Sequence, residues 1–284
     1  MLALSHWPVA ARAGLVGVFT DIDDTLTTDG AITPDALAAL ADMKAAGLLV
    51  VAITGRPVGW SEPCARTWPV DAIVAENGAV ALFPETISSL NSSQIGLQPL
   101  QILLKQLSKL YQQTPSVRAA NHARLQAAAQ LVLQQIPGTQ LAQDSPGRET
   151  DIAIDHSEFT CLSPETIAQV VTLLQAQGLH ATVSSIHINA WLGNHNKWQG
   201  AQWIVRELWG RDLAQEIDRW AFVGDSTNDA LMFEAFPHSV GVANVRRFAA
   251  QLTHLPRYVT GEERGAGFAQ VARAVVGALE KARE

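Results

Sequence analysis

The sequence predicts an α/β fold in which a mostly parallel sheet, built from both ends of the chain, carries an inserted α+β segment. Three observations predict it. Short, almost wholly apolar β-rich runs alternate with helical patterns over 15–83, and the alternation returns over 220–282. Strands apolar on both faces belong to parallel sheets covered by helices. Between them, over about 84–186, the texture changes and glutamine becomes abundant. Polar clusters follow several of the apolar runs directly, where open parallel sheets gather their functional groups.

The first strand is expected over 15–20. A helix then starts at Thr33-Pro34, with Thr33 as N-cap and Pro34 in the first turn, and stops at Gly47. Further strands fall over 48–53 and 72–75. In the middle, 97–113 and 119–136 read as helices with Leu, Ile and Ala on one side and Gln on the other, the second ended by Pro137-Gly138. A strand over 151–155, a helix from Ser163-Pro164 to Gly178, and strands across 181–191 complete the insert. The C-terminal part supplies strands over 220–223, 239–242 and 258–259, with helices over 229–235 and 266–282. The expected division is a core of 1–83 plus 188–284 and an insert of 84–187, long enough for a small domain of its own.

Composition narrows the function. Of 284 residues, 48% are hydrophobic, which is ample for a core, and the net charge of -7 with no basic run excludes a nucleic-acid binder. Cys64 and Cys161 lack metal-site spacing, so a reducing, cytoplasmic setting is expected. The stretch before Leu15 reads as neither signal peptide nor membrane span.

The chemistry lies after the strands. Asp21, Asp23 and Asp24 crowd the end of the first one, a repulsive arrangement that a divalent cation or full solvation relieves. An acidic turn capping a helix is the plain alternative, but other polar clusters accompany this one: Thr54-Gly55-Arg56, Lys197 at a helix start, and Gly224-Asp225-Ser226-Thr227-Asn228-Asp229. Together they offer a carboxylate nucleophile (Asp21), an acid/base two residues on (Asp23), a hydroxyl and a compact cation for phosphate oxygens (Thr54, Lys197), and carboxylates for a hard ion such as Mg²⁺ (Asp225, Asp229). Phosphoryl transfer needs such a set.

Asp21-Ile22-Asp23-Asp24-Thr25-Leu26, Ile53-Thr54-Gly55-Arg56, Lys197 and Gly224 to Asp229 resemble, in order and spacing, the four motifs of the haloacid dehalogenase superfamily of phosphatases. The resemblance implies a Rossmann-like core. The insert between the second and third motifs resembles a type 2 cap, as in the branch holding Cof-type phosphatases, sucrose-phosphate phosphatase, mannosyl-3-phosphoglycerate phosphatase and phosphomannomutase. Glu76-Asn77-Gly78 resembles the Asn-Gly of that branch. By position, Asp21 resembles the nucleophile and Asp23 the acid/base and backbone-carbonyl metal ligand. Thr54 and Lys197 resemble the phosphate binders, Asp225 the side-chain metal ligand, and Ser226, Asn228 and Asp229 the supporting polar shell. Asp24 stands where many relatives carry Gly, and Thr20 where an apolar residue is commoner.

The resemblance implies a Mg²⁺-dependent phosphomonoester hydrolase acting on a small phosphorylated metabolite, a sugar phosphate or a phosphoglycerate-type compound. A phosphomutase of the same architecture and a catalytically silent sugar-phosphate-binding protein are the alternatives. Gly55, Arg56, Asn77, Arg148 and His187 are candidate substrate contacts. Each also has a structural reading: a surface ion pair for Arg56, a hairpin turn for Asn77-Gly78. His156 reads as structural and His195 as an exposed loop residue.

Overall fold

The computed structural model describes residues 1–85 and 106–283. In chain order its elements begin with β1 (Leu2–Ala3), α1 (Val9–Ala13), β2 (Gly17–Thr20), β3 (Thr27–Thr28), β4 (Ala31–Ile32), α2 (Pro34–Ala45), β5 (Leu49–Ile53), α3 (Val58–Thr67), β6 (Ala72–Ala75) and β7 (Val80–Pro84). There follow β8 (Leu107–Tyr111), α4 (Pro115–Gln135), β9 (Asp151–Asp155), α5 (Pro164–Ala176), β10 (His180–Val183) and β11 (His187–Trp191). The chain closes with α6 (Lys197–Trp209), β12 (Trp220–Gly224), α7 (Ala230–Ala235), β13 (His238–Gly241), β14 (Tyr258–Val259) and α8 (Arg264–Lys281).

The large sheet runs β1-β14-β13-β12-β2-β5-β6-β7-β8. It is parallel as far as β6, and β7 and β8 continue it antiparallel. From β2 the chain steps outward through β5 and β6 on one side, and β12, β13 and β14 fill the other. The strand order therefore reverses at β2, the place where ligands bind in such sheets. Successive β2 residues face opposite layers. Val18 packs in a core shared with Leu40 of α2 and Phe268 of α8, whereas Phe19 lies with Ile204 of α6 and Phe233 of α7. Burial on both faces explains the nearly unbroken apolar strands.

β10, β11 and β9 form a separate antiparallel sheet with its own core, in which Ile152, Ile154 and Ile188 meet Leu125 and Val132 of α4 and Val170 and Leu174 of α5. Ser163 caps α5 by accepting from the Thr166 amide, and Thr114 caps α4 in the same way. Two expectations shift here. The helix expected over 97–113 lies outside the described residues as far as 105, and Leu107–Tyr111 is a strand. The open edge of β7 offers backbone partners to this stretch, and that pairing overrides the helical spacing of its leucines. Accordingly β8 sits in the large sheet and β11 in the small one, so the small-sheet unit starts and ends later in the chain than 84–187. Among the described residues no helix is long and apolar enough to cross a membrane.

Candidate active site

The loops after β2, β5 and β12 and the start of α6 converge at one end of the large sheet. Val223 of β12 accepts the amide of Asp21, which carries the chain straight from the strand into the acidic loop. The carbonyl of Ile22 then accepts from the amides of Thr25, Leu26 and Thr27, so the loop turns back on itself. Asp24 takes the left-handed conformation at φ 53°, which accounts for the glycine expected at that position. Asp24 also pairs with Arg264 at 3.0 Å.

Lys197 joins the clusters. Its ammonium donates to Asp21 Oδ1 at 2.6 Å and to Asp229 Oδ1 at 2.7 Å, all three side chains being buried. The other oxygen of Asp229 accepts from the amides of Asp225 and Ser226, at 3.0 and 3.2 Å. Both Asp229 oxygens are thus committed to holding Lys197 and the β12 loop. Asn228 accepts from the Ser226 hydroxyl at 2.9 Å.

Oxygens of Asp21, Asp225 and Asp229 come within 4.8 Å of one another. Asp225 is fully buried, and its Oδ1 has no hydrogen-bond partner among the described residues. Burial first, then the neighbouring Asp229 and Asp23, pushes the Asp21 carboxyl up to about 8 in spite of Lys197. Burial, with Asp21 and Asp229 close by, likewise holds Asp225 well above the carboxylate range. Burial draws the Lys197 pKa down, but Asp21 and Asp229 outweigh it and hold it above its ordinary value. One ammonium among three buried carboxylates leaves negative charge uncompensated, and the orphaned oxygen of Asp225 shows where a hard cation fits.

Thr54 and Gly55 follow β5, and the Thr54 hydroxyl accepts from the Arg56 amide at 3.0 Å. A Cβ on Gly55 would lie 2.1 Å from Asn189 Nδ2, so the small sheet presses directly on this loop. Asn77, buried in the turn between β6 and β7, takes φ 56°, and its Nδ2 has no hydrogen-bond partner among the described residues. Its Asn-Gly pair therefore serves a hairpin turn and also stands beside Gly55, where Asn77 Oδ1 is 3.3 Å from that same Cβ position.

Three other candidates are already engaged. Arg56 binds Asp23, Asp144 and Glu158 through its guanidinium. Arg148 holds Asp151, Asp144 and the Gly55 carbonyl, and His187 Nε2 lies 2.7 Å from Glu158. His156 contacts Ser157 and the Ser184 carbonyl, a structural role as expected. His195 is a correction: it is buried, stacked on Trp191 at 5.7 Å, and burial followed by the nearby His180 holds its pKa down at about 4.

Two residues escaped the sequence reading. Asn244 donates to the Asp24 carbonyl and to Asp225 Oδ2, at 3.0 and 2.9 Å, which bridges the β2 and β12 loops. Glu76, wholly buried, accepts from the amides of Val58, Glu149 and Thr150 and from the Thr150 hydroxyl. It ties α3 to the segment entering β9. An acid beside Asn-Gly was the only signal for Glu76, and Asn244 had none.

The fold has counterparts of known structure. Protein 0175 of Thermoplasma acidophilum superposes with a TM-score of 0.64 at 14% identity, over 92% of this chain and 98% of that one. The sucrose-phosphatase of Synechocystis sp. PCC6803 gives 0.60 at 15%, over 92% and 97%. The C-terminal domain of the C. albicans trehalose-6-phosphate phosphatase gives 0.60 at 14%, over 95% of each chain. No curated protein sequence matches this one. The family model for haloacid dehalogenase-like hydrolases matches residues 18–271, from β2 into α8, and so spans every loop of the site. The chain belongs to the haloacid dehalogenase-like hydrolase family.

Proposed function

We propose that this chain is a Mg²⁺-dependent phosphomonoester hydrolase that works through an aspartyl phosphate on Asp21 and acts on a small sugar phosphate. One observation carries the reading: Asp21 at the switch point of the sheet, with Lys197 at 2.6 Å and the unpartnered oxygen of Asp225 in the same buried cluster. An Asp21 oxygen attacks phosphorus as the bond to the leaving oxygen breaks, and Asp23 gives that oxygen its proton. In the second half a water attacks phosphorus, Asp23 takes its proton, and the Asp21 carboxylate is released. Lys197, Thr54 and the amides near Gly55 hold the phosphate oxygens. Asp21, Asp225 and the Asp23 carbonyl would hold Mg²⁺, which supplies positive charge against the phosphate and the carboxylates when bound.

The small-sheet unit acts as a cap. A cavity of about 270 Å³ lies between it and the core, bordered by Asp23, Arg56, Ser157, Glu158, Phe159 and Arg264. Its carboxylates are suited to hydroxyl donors and repel a second acid group, which favours a sugar over a phosphoglycerate. The sucrose-phosphatase and trehalose-6-phosphate phosphatase with the same fold support that preference.

The test is phosphate release from a panel of phosphate monoesters with Mg²⁺ and with a chelator, using Asp21→Asn as control. Release that needs the metal and is lost in the variant supports the reading. Activity that survives Asp21→Asn refutes the nucleophile, and turnover that requires a sugar bisphosphate points to a mutase.

A further inference from the structure

We propose that Asp24 and Arg264 form a specificity-determining pair that reads two neighbouring hydroxyls of the sugar leaving group. The proposal rests on the reading of this chain as a sugar-phosphate hydrolase. Both residues border the cavity of about 270 Å³ beside Asp23. Asp24 Oδ1 lies 3.0 Å from Arg264 Nε, yet that contact is out of hydrogen-bond alignment, and the buried Nε has no hydrogen-bond partner among the described residues. Nη1 of Arg264 is 3.6 Å from the exposed Asp29, too far for a hydrogen bond. The other guanidinium in the cavity wall, Arg56, is already taken up by three carboxylates.

Both residues are also held in a conformation that side chains disfavour. Asp24 has φ 53°, and Arg264, at the start of α8, has the same value. Glycine takes this conformation at no steric cost, and Asp24 stands where the motif it resembles commonly carries Gly. One side chain fixes the two backbones: Asn244 Nδ2 donates to the Asp24 carbonyl and Asn244 Oδ1 accepts from the Arg264 amide, both at 3.0 Å. A partly exposed ion pair stabilises by less than two such backbone strains cost. Stability alone therefore does not account for this arrangement.

The chemistry of the pair selects its ligand. A carboxylate only accepts hydrogen bonds and a guanidinium only donates them, whereas a hydroxyl does both. An acceptor beside a donor therefore matches two adjacent hydroxyls, one giving its proton to Asp24 and the other accepting from Arg264. A second phosphate or carboxylate on the ligand would meet the repulsion of Asp24 and of its acidic neighbours Asp23, Asp29 and Glu158. An amine would meet that of Arg264. A glycine in place of Asp24 would leave Arg264 without its acceptor neighbour and remove the match.

The pair is tested by phosphate release from the best-cleaved hexose phosphate of the panel, from its monodeoxy analogues and from phenyl phosphate. Wild type should lose about 10- to 100-fold in kcat/KM on two analogues that lack adjacent hydroxyls, since their absence leaves polar groups of the site unpaired. Asp24→Gly/Arg264→Gly removes both charges together and suits both backbones. In that variant the hexose phosphate should lose a similar factor relative to phenyl phosphate, and the same two analogues should lose nothing further. Arg264→Lys, which keeps the charge but not the rigid fork, should show the same loss on the hexose phosphate. Analogues that lose as much in the variants as in wild type would overturn the proposal. So would an equal fall on hexose phosphate and phenyl phosphate, the mark of a merely structural pair. Wild type that cleaves phenyl phosphate but no hexose phosphate would overturn the sugar site alone. Wild type that releases phosphate from neither would overturn the phosphatase reading itself.

Discussion

Replacing Asp21 by Asn is expected to stabilise the metal-free protein while abolishing turnover. The Asp21 carboxyl is buried, and burial, aided by Asp229 and Asp23, raises its pKa from 3.8 to about 8. Between those values the folded chain binds more protons than the unfolded one. Stability therefore falls as pH rises from 3.8, and the full cost is present above about pH 8. Ideal linkage over that window amounts to about 6 kcal/mol at 1.36 kcal/mol per pH unit. Relaxation and water penetration reduce the penalty of a buried ion, so about 2 to 4 kcal/mol is the expected effect. Asn keeps an oxygen to accept from Lys197, which still pairs with Asp229 at 2.7 Å. At about 2 °C per kcal/mol for a chain of this size, Asp21→Asn should melt roughly 4 to 8 °C above wild type near pH 9, with the gap closing toward pH 4. Thermal unfolding followed by circular dichroism in chelator gives these values directly. Added Mg²⁺ should then raise the melting temperature of wild type more than that of the variant, because the cation relieves the same repulsion. A variant less stable than wild type at high pH, or a gap that ignores pH, would refute the account of the buried charge.

Other perturbations reach other parts of the site. Asn244→Leu strips Asp225 Oδ2 of its donor and should weaken Mg²⁺ affinity by about 10- to 100-fold, read by calorimetric titration. His195→Gln removes a histidine whose pKa is held at about 4. Because the unfolded chain takes up that proton from about 6.5 downward, wild-type stability falls as pH drops from 6.5 to 4, by at most about 3 kcal/mol, and the variant's denaturation profile should be flatter there. Gly78→Ala places a Cβ 2.4 Å from the Asn196 carbonyl at φ 106°. It should cost about 2 kcal/mol and displace the start of α6, so the pairing of Lys197 weakens and activity falls with stability.

What the sequence showed and what it hid divide along physical lines. The parallel strands were legible because burial on both faces leaves unbroken apolar runs such as Leu49–Ile53. The site was legible because Asp21, Thr54, Lys197 and Asp225 each stand at the end or start of such an element. β8 was misread because Leu107–Tyr111 becomes a strand only by pairing with β7, a partner that local spacing does not reveal. Arg56 and Arg148 were weighed both as substrate contacts and as structural residues; the carboxylates that engage them include Asp144, 88 residues from Arg56, which no local pattern links to it. Asn244 carries no pattern at all. Its role exists only where two loops meet.

The place of β2 between β5 and β12 also governs how the protein comes into being. β2 pairs residue for residue with a strand some two hundred positions later, Gly17 with Trp220 and Thr20 with Val223. Contacts so distant in sequence form slowly and late. During synthesis Asp21 emerges long before Lys197 and Asp225, and the early half of the chain holds an acidic loop without its ammonium or its partner carboxylate. The buried cluster of Asp21, Asp225 and Asp229 and its pairing with Lys197 arise in the same closing event of folding, so a partly made chain has neither.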